Sequence, residues 1–156
     1  MADKKLHLRI LTSENVKIDE QVDMVIMRCI TEVIGTKSAV GDIGIMPGHV
    51  DCSMVLGINA FRIINDGKER QLAVYGGVAT VENNVVTVLT EKAEWPEEID
   101  QKLAEANLEK AKGDMENITS DDISFRRNEI LLRRSNVQIE VSSYNLLGDK
   151  NWNEEQ

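Results

Sequence analysis

Gln71-Leu72-Ala73-Val74-Tyr75-Gly76-Gly77-Val78-Ala79-Thr80-Val81-Glu82-Asn83-Asn84-Val85-Val86-Thr87-Val88-Leu89 is the stretch whose reading decides the fold. It holds three apolar runs, 71–75, 78–81 and 85–89, each of strand length and bounded by glycine or asparagine. Asparagine tolerates positive φ, so Glu82-Asn83-Asn84 reads as a tight hairpin turn. Upstream, Asn65-Asp66-Gly67 is a second turn of this kind, preceded by the runs 52–56 and 60–64. Nearer the start, Leu6, Leu8 and Ile10 alternate with His7 and Arg9, Val16 and Ile18 bracket Lys17, and Val22, Met24 and Ile26 continue the period of two. Turn signals every 8–12 residues or so, with no helical pattern between them, predict locally connected antiparallel strands in a β-sandwich or barrel.

Downstream the pattern changes at Trp95-Pro96-Glu97-Glu98, where proline suits a first helical turn and the two glutamates complement the positive end of the helix dipole. Ile99, Leu103, Ala104, Ala106, Leu108, Ala111 and Met115 recur at three and four, predicting a helix from about Glu97 to Met115. Thr119 or Ser120 caps a second helix, with Asp121 and Asp122 in its first turn. Ile123, Ile130, Leu131 and Val137 give it a face to about Gln138. The short link around Glu116-Asn117-Ile118 makes the two an antiparallel hairpin. The expected architecture is an N-terminal antiparallel β-sandwich over residues 1–92, a C-terminal two-helix hairpin over 93–140, and a polar tail over 141–156.

Composition narrows the function. A formal charge of -9 argues against a nucleic-acid partner, which needs a clustered positive field. No run approaches the ~20 apolar residues of a membrane span, and the start lacks an apolar leader block, so a soluble, unsecreted chain is expected. Cys29 and Cys52 lie in apolar segments and read as buried free thiols. With His7 and His49 the only histidines, no metal-ligand spacing exists. No nucleophile and base are paired by any motif, and no G-x-x-x-x-G-K-[ST] loop occurs, so no catalytic residues are expected.

Three blocks carry a resemblance. Gly41-Asp42-Ile43-Gly44-Ile45-Met46-Pro47-Gly48-His49 resembles the G-x-x-G-I-x-P-G-H signature of the epsilon subunits of bacterial F-type ATP synthases. The runs 72–81 and 85–89 are similar to that family's L-A-V-S-G-G-x-x-E-V and N-x-V-T-V-L patterns. Ala93-Glu94-Trp95 followed by Glu98-Ile99-Asp100 is similar to its joint between sandwich and hairpin. The ordered set extends over roughly residues 6 to 138.

The resemblance implies a non-catalytic central-stalk subunit at the cytoplasmic face of the bacterial cell membrane. Its partners would be the gamma subunit, the c ring and, through the C-terminal helices, the catalytic alpha and beta subunits, where the helices hinder ATP hydrolysis. Asp42 matches the acidic position facing the c-ring loops, and His49 the turn near gamma. Arg126, Arg127, Arg133 and Arg134, half of the chain's arginines, lie on one side of the second helix and suit an acidic partner. Some members of the family bind ATP through I/L-D-x-x-R-A. Here Leu103 stands where that arginine belongs, so no cofactor is expected, and Asp100, Arg126 and Arg133 are the residues a nucleotide site would draw on. Residues 29–40 read as an insertion, either an extended hairpin or a loop. The alternatives are a free-standing sandwich adaptor and a small nucleotide-binding sensor.

Overall fold

Two-residue turns with positive φ organise the N-terminal strands. In the computed structural model, which describes residues 4–31, 39–119 and 123–148, the strands are β1 Leu6–Leu11, β2 Val16–Val22, β3 Met24–Thr31, β4 Ala39–Ile45, β5 Cys52–Asn65, β6 Lys68–Glu82, β7 Val85–Leu89 and β8 Ala93–Glu94. Asp66 and Gly67 (φ 52° and 75°) join β5 to β6, and Asn83 and Asn84 (φ 49° and 63°) join β6 to β7. Positive φ at both central residues matches the right-handed twist of the flanking strands, so both expected hairpins form.

The sheet runs β2-β1-β7-β6-β5-β3-β4, with β8 added to β6. It folds over on itself as a sandwich, because β5 and β6 are 14 and 15 residues long and pass from one layer to the other. The bend is at Gly76 and Gly77, both of positive φ (78° and 131°). A Cβ at Gly77 would lie 2.1 Å from the Leu89 carbonyl oxygen, so only glycine lets β6 turn this close to β7. Leu6, Leu8, Ile10, Val25, Phe61, Ile63, Leu72, Val74, Val86 and Val88 fill the interior, fully buried.

Three sequence expectations change here. The β1 and β7 pairing is parallel, the one parallel pairing among the described residues, because β1 inserts between β2 and the distant β7. The period of two through Val22, Met24 and Ile26 breaks at Asp23, whose N–H donates to the Ile64 carbonyl (3.0 Å). The inward residues become Val25, Met27 and Cys29. Cys52 is half-buried, whereas Cys29 is buried; both are free thiols, and burial pushes the Cys29 thiol up. Within the suspected insertion, Cys29, Ile30 and Thr31 pair with Gly41, Val40 and Ala39, so its described part is an extended hairpin; residues 32–38 lie outside the described residues.

The second compact unit is Trp95–Gln156, the division falling after β8 rather than at residue 92. Pro96–Glu98 forms a single 3-10 turn, and helix α1 is Gln101–Met115 instead of starting at Glu97. Asp100 supplies the N-cap, accepting from the Leu103 N–H (3.1 Å). Helix α2 is Ile123–Gly148. It runs ten residues beyond the expected end at Gln138, because Val141 and Ser142 continue its buried side and the Ser142 hydroxyl donates to the Gln138 carbonyl (2.8 Å). Of the residues expected to cap and open α2, Ser120, Asp121 and Asp122 lie outside the described residues; of the expected tail 141–156, residues 141–148 belong to α2 and 149–156 lie outside the described residues.

The helices pack against each other through small residues. Ala104 and Ala111 of α1, and Ser135, Val137, Val141 and Ser142 of α2, are buried. Leu103, expected on the apolar face, is instead 57 % exposed, and Ile123 and Ile130 are exposed too. A seam of alanine and serine brings helix backbones close and buries little apolar area per residue.

Candidate docking surfaces

Met46-Pro47-Gly48-His49 is a type II turn. Proline presets φ at its second position, Gly48 takes φ 88° at its third, and the His49 N–H closes it on the Met46 carbonyl (3.1 Å). The Gly48 N–H donates to the Asn84 side chain (2.7 Å), and the Asp51 carboxylate accepts from the Asn83 N–H (3.0 Å). The turn is thereby fixed to the β6–β7 hairpin at one end of the sandwich. His49 is half-buried, with Nδ1 2.8 Å from the Val50 carbonyl oxygen, while Met46 and Val50 beside it are exposed.

Asp42 is exposed on β4 and faces Arg28 across the β3–β4 pair, accepting from the guanidinium Nε (3.0 Å). Arg28 was not singled out by the sequence, because the pairing depends on a hairpin register that no local pattern reveals. Any basic group of a partner that reaches Asp42 meets a carboxylate already shared with this arginine.

A row of apolar side chains crosses the outer face of the sheet. Val16 pairs with Leu11, Leu11 with Leu89, Leu89 with Val78, and Val78 with Val55. Register partners project to the same face. Val16, Leu89, Val78 and Val55 are 57, 55, 44 and 56 % exposed. A bulge between Ile10 and Leu11 makes the row continuous, since it skips Lys17 and sets Val16 opposite Leu11. Five strands at ~4.8 Å spacing make the row about 19 Å long. The row beside it is Arg9, Thr87, Thr80 and Ser53, with Asp19 opposite Arg9 at its end. There His7 hydrogen-bonds the Asp19 carboxylate and holds it below its usual range, with a smaller contribution from Arg9. Between that charged corner and β5 the face carries no charge in these two rows.

The four arginines of α2 are not equivalent. Arg126, Arg127 and Arg133 are exposed, and Arg133 pairs with Glu129 one turn back (2.9 Å). Arg134 is half-buried, so the stripe presents three guanidinium groups outward rather than four. Asp100 is occupied as the α1 cap, and Leu103 points outward where a nucleotide motif would carry arginine. Among the described residues no group of three or more His, Cys, Asp or Glu could hold a metal ion, and no helix is long and apolar enough to cross a membrane.

Residues 5–96 match the family described as ATP synthase, Delta/Epsilon chain, beta-sandwich domain. The ATP synthase epsilon chain of Caldicellulosiruptor bescii is 35 % identical over 132 residues, covering 85 % of this chain and 90 % of that one. That of Citrifermentans bemidjiense is 32 % identical over 139 residues, covering 89 and 94 %. Among solved structures, a chain of the Euglena gracilis mitochondrial ATP synthase (OSCP, F1 and c-ring) superposes with a TM-score of 0.70 at 24 % identity, covering 89 % of this chain and 81 % of that one. A chain of the Tetrahymena thermophila mitochondrial ATP synthase central stalk and c-ring does so with 0.53 at 11 %, covering 91 and 99 %.

Proposed function

Because the chain belongs to the family of ATP synthase epsilon chains, we propose that it is a non-catalytic rotor subunit whose sandwich docks on the gamma subunit and the c ring, and whose helices restrain ATP hydrolysis by the catalytic alpha and beta subunits. The observation that carries this reading is the five-strand apolar row. An exposed apolar band beside uncharged threonines and serine is costly to leave in water and suits the flat surface of another protein. Asp42 and His49 contribute at the β4 edge and the Met46–His49 turn, the former to a basic loop of the ring. The three outward arginines of α2 suit an acidic surface of a catalytic subunit. The work of this chain is transmission and restraint, performed as a peripheral component at the cytoplasmic face of the membrane, with no cofactor.

The test is co-purification of the full chain with its cognate gamma subunit, comparing the native sequence with Val78→Asp and Leu89→Asp. Placing a carboxylate in a desolvated contact is expected to weaken gamma binding at least 100-fold while circular dichroism stays native. Undiminished binding by both folded variants overturns the docking face. Failure of the native chain to bind gamma at all favours the adaptor reading. Hydrolysis by the assembled catalytic complex that is no faster without residues 97–156 removes the restraint.

A further inference from the structure

The chain leaves the sandwich through an unusually well fastened segment. The Thr90 N–H donates to the Leu11 carbonyl (3.1 Å), and the Tyr75 N–H and the Thr90 hydroxyl both donate to the Lys92 carbonyl (3.2 and 3.1 Å). Ala93 and Glu94 then pair with Val74 and Ala73 as β8. A strand of two residues holds little by itself. What accompanies it is a side-chain bond: the Tyr75 phenol donates to the Glu94 carboxylate, and the Lys92 ammonium lies 3.8 Å from the same oxygen. Tyr75 is 7 % exposed and the Glu94 side chain 12 %. A carboxylate so covered is tolerable only when charge-assisted bonds satisfy it.

Immediately beyond Glu94 the character of the backbone changes. Trp95 is extended (φ -70°, ψ 156°), Pro96–Glu98 make one 3-10 turn, and Ile99 and Asp100 are extended again (φ -89°, ψ 127° and φ -83°, ψ 98°) before α1 begins. That turn is internally braced. The Glu98 and Ile99 N–H groups donate to the Trp95 and Pro96 carbonyls (3.0 and 3.2 Å), and the Glu98 carboxylate accepts from the Trp95 N–H (3.3 Å). This turn belongs to the second compact unit, which begins at Trp95 directly where β8 stops, and it packs against α2.

We propose that the Tyr75–Glu94 bond is a clasp that holds β8 on β6 and so fixes the point at which the chain leaves the sandwich. Opening the clasp frees β8 from β6 and loosens the last segment of the sandwich back toward Thr90. Tyr75 and Glu94 act here as positioning residues, through the backbone of 92–94, and the proposal holds whichever partner the sandwich meets.

Amide hydrogen exchange of the full chain tests it. Tyr75→Phe removes the hydroxyl and keeps the ring, and is expected to speed exchange over 91–94 about tenfold while 60–72 stay as in the native chain. Glu94→Gln retains an acceptor without the charge, and its exchange is expected between the two. It also serves should Tyr75→Phe fold poorly. With Trp152→Phe as background, Trp95 is the sole tryptophan, and its emission anisotropy is expected to fall in Tyr75→Phe. Unchanged exchange at 91–94, or equal acceleration through every strand with Trp95 anisotropy unaltered, overturns the clasp.

Discussion

Gly77→Ala isolates the feature on which the sandwich depends most, the corner where β6 changes layer. Two costs arise at this position. Alanine at φ 131° is strained by about 1–3 kcal/mol. Its Cβ would also fall 2.1 Å from the Leu89 oxygen and 3.1 Å from the Leu89 carbonyl carbon and Thr90 Cα, all backbone atoms with no rotamer to relax into. Since a carbon and a carbonyl oxygen approach no closer than about 3.3 Å, β7 must retreat by roughly 1 Å. The retreat breaks one or two ladder hydrogen bonds near the Val78–Leu89 pair, each contributing about 1 kcal/mol. The sum is about 2–5 kcal/mol against a typical total of about 5–15 kcal/mol. Urea unfolding followed by circular dichroism is expected to show a midpoint lower by at least about 0.7 M, given slopes of about 1–3 kcal/mol/M. Gly76→Ala separates the terms: it shares the positive φ, but its Cβ meets nothing nearer than the Leu56 oxygen at 3.6 Å, so strain alone predicts a loss of about 1–3 kcal/mol. Gly41→Ala, whose Cβ meets nothing within 4 Å, is expected to change stability by less than about 0.5 kcal/mol. Equal effects at 41 and 77 would refute the reasoning.

The remaining predictions concern charge and the helices. The Asp23 carboxylate accepts from the Asp66 N–H (2.7 Å) and pairs with Lys5 (3.3 Å), which together hold it below the usual carboxylate range. A depressed carboxyl stabilises the fold above its unfolded pKa of about 4 and loses that contribution as pH falls through the lower folded value. Asp23→Asn should therefore melt below the native chain at pH 7, with the gap closing toward pH 3; a gap independent of pH contradicts this. Ser135 Oγ is buried with no hydrogen-bond partner among the described residues, so Ser135→Ala should stabilise the helical unit by about 1 kcal/mol in thermal unfolding. Removing the α1 cap with Asp100→Ala should cost about 1 kcal/mol, read as lost helical signal. Calorimetric titration of the full chain with magnesium ATP should give no binding heat, and a saturable signal would establish a nucleotide site despite Leu103.

How much of this was legible depended on whether the determining contacts were local. Asp66-Gly67 and Asn83-Asn84 declared their turns, because positive φ is a property of the residues themselves. Met46-Pro47-Gly48-His49 did the same, with proline and glycine each in the position its φ demands. The change of phase at Asp23 was hidden, since hydrophobic alternation there runs on through Met24 and Ile26 and only bonds to Ile64 and Asp66 reveal the corner. The end of α2 lies beyond the expected Gln138 for a related reason: the polar residues past Glu140 read as a tail, yet Val141 and Ser142 are buried and the Ser142 hydroxyl turns back onto the Gln138 carbonyl within the helix.

The candidate surfaces divide along the same line. Asp42, His49 and the α2 arginines could be singled out because each belongs to a short motif or a helical repeat. The apolar row could not, because its members come from five strands, and Val16 joins Leu11 only through a bulge. A single skipped residue decides whether that position of the face shows valine or lysine. Closing the bulge by deleting Lys17 keeps Val16 opposite Leu11 and removes the local twist, whereas Val16→Lys places an ammonium at the end of the row with the backbone unchanged. If the row docks a protein, the substitution should weaken binding more than the deletion does. If the bulge matters only for the course of β2, the deletion should be the more harmful, and to stability instead of binding.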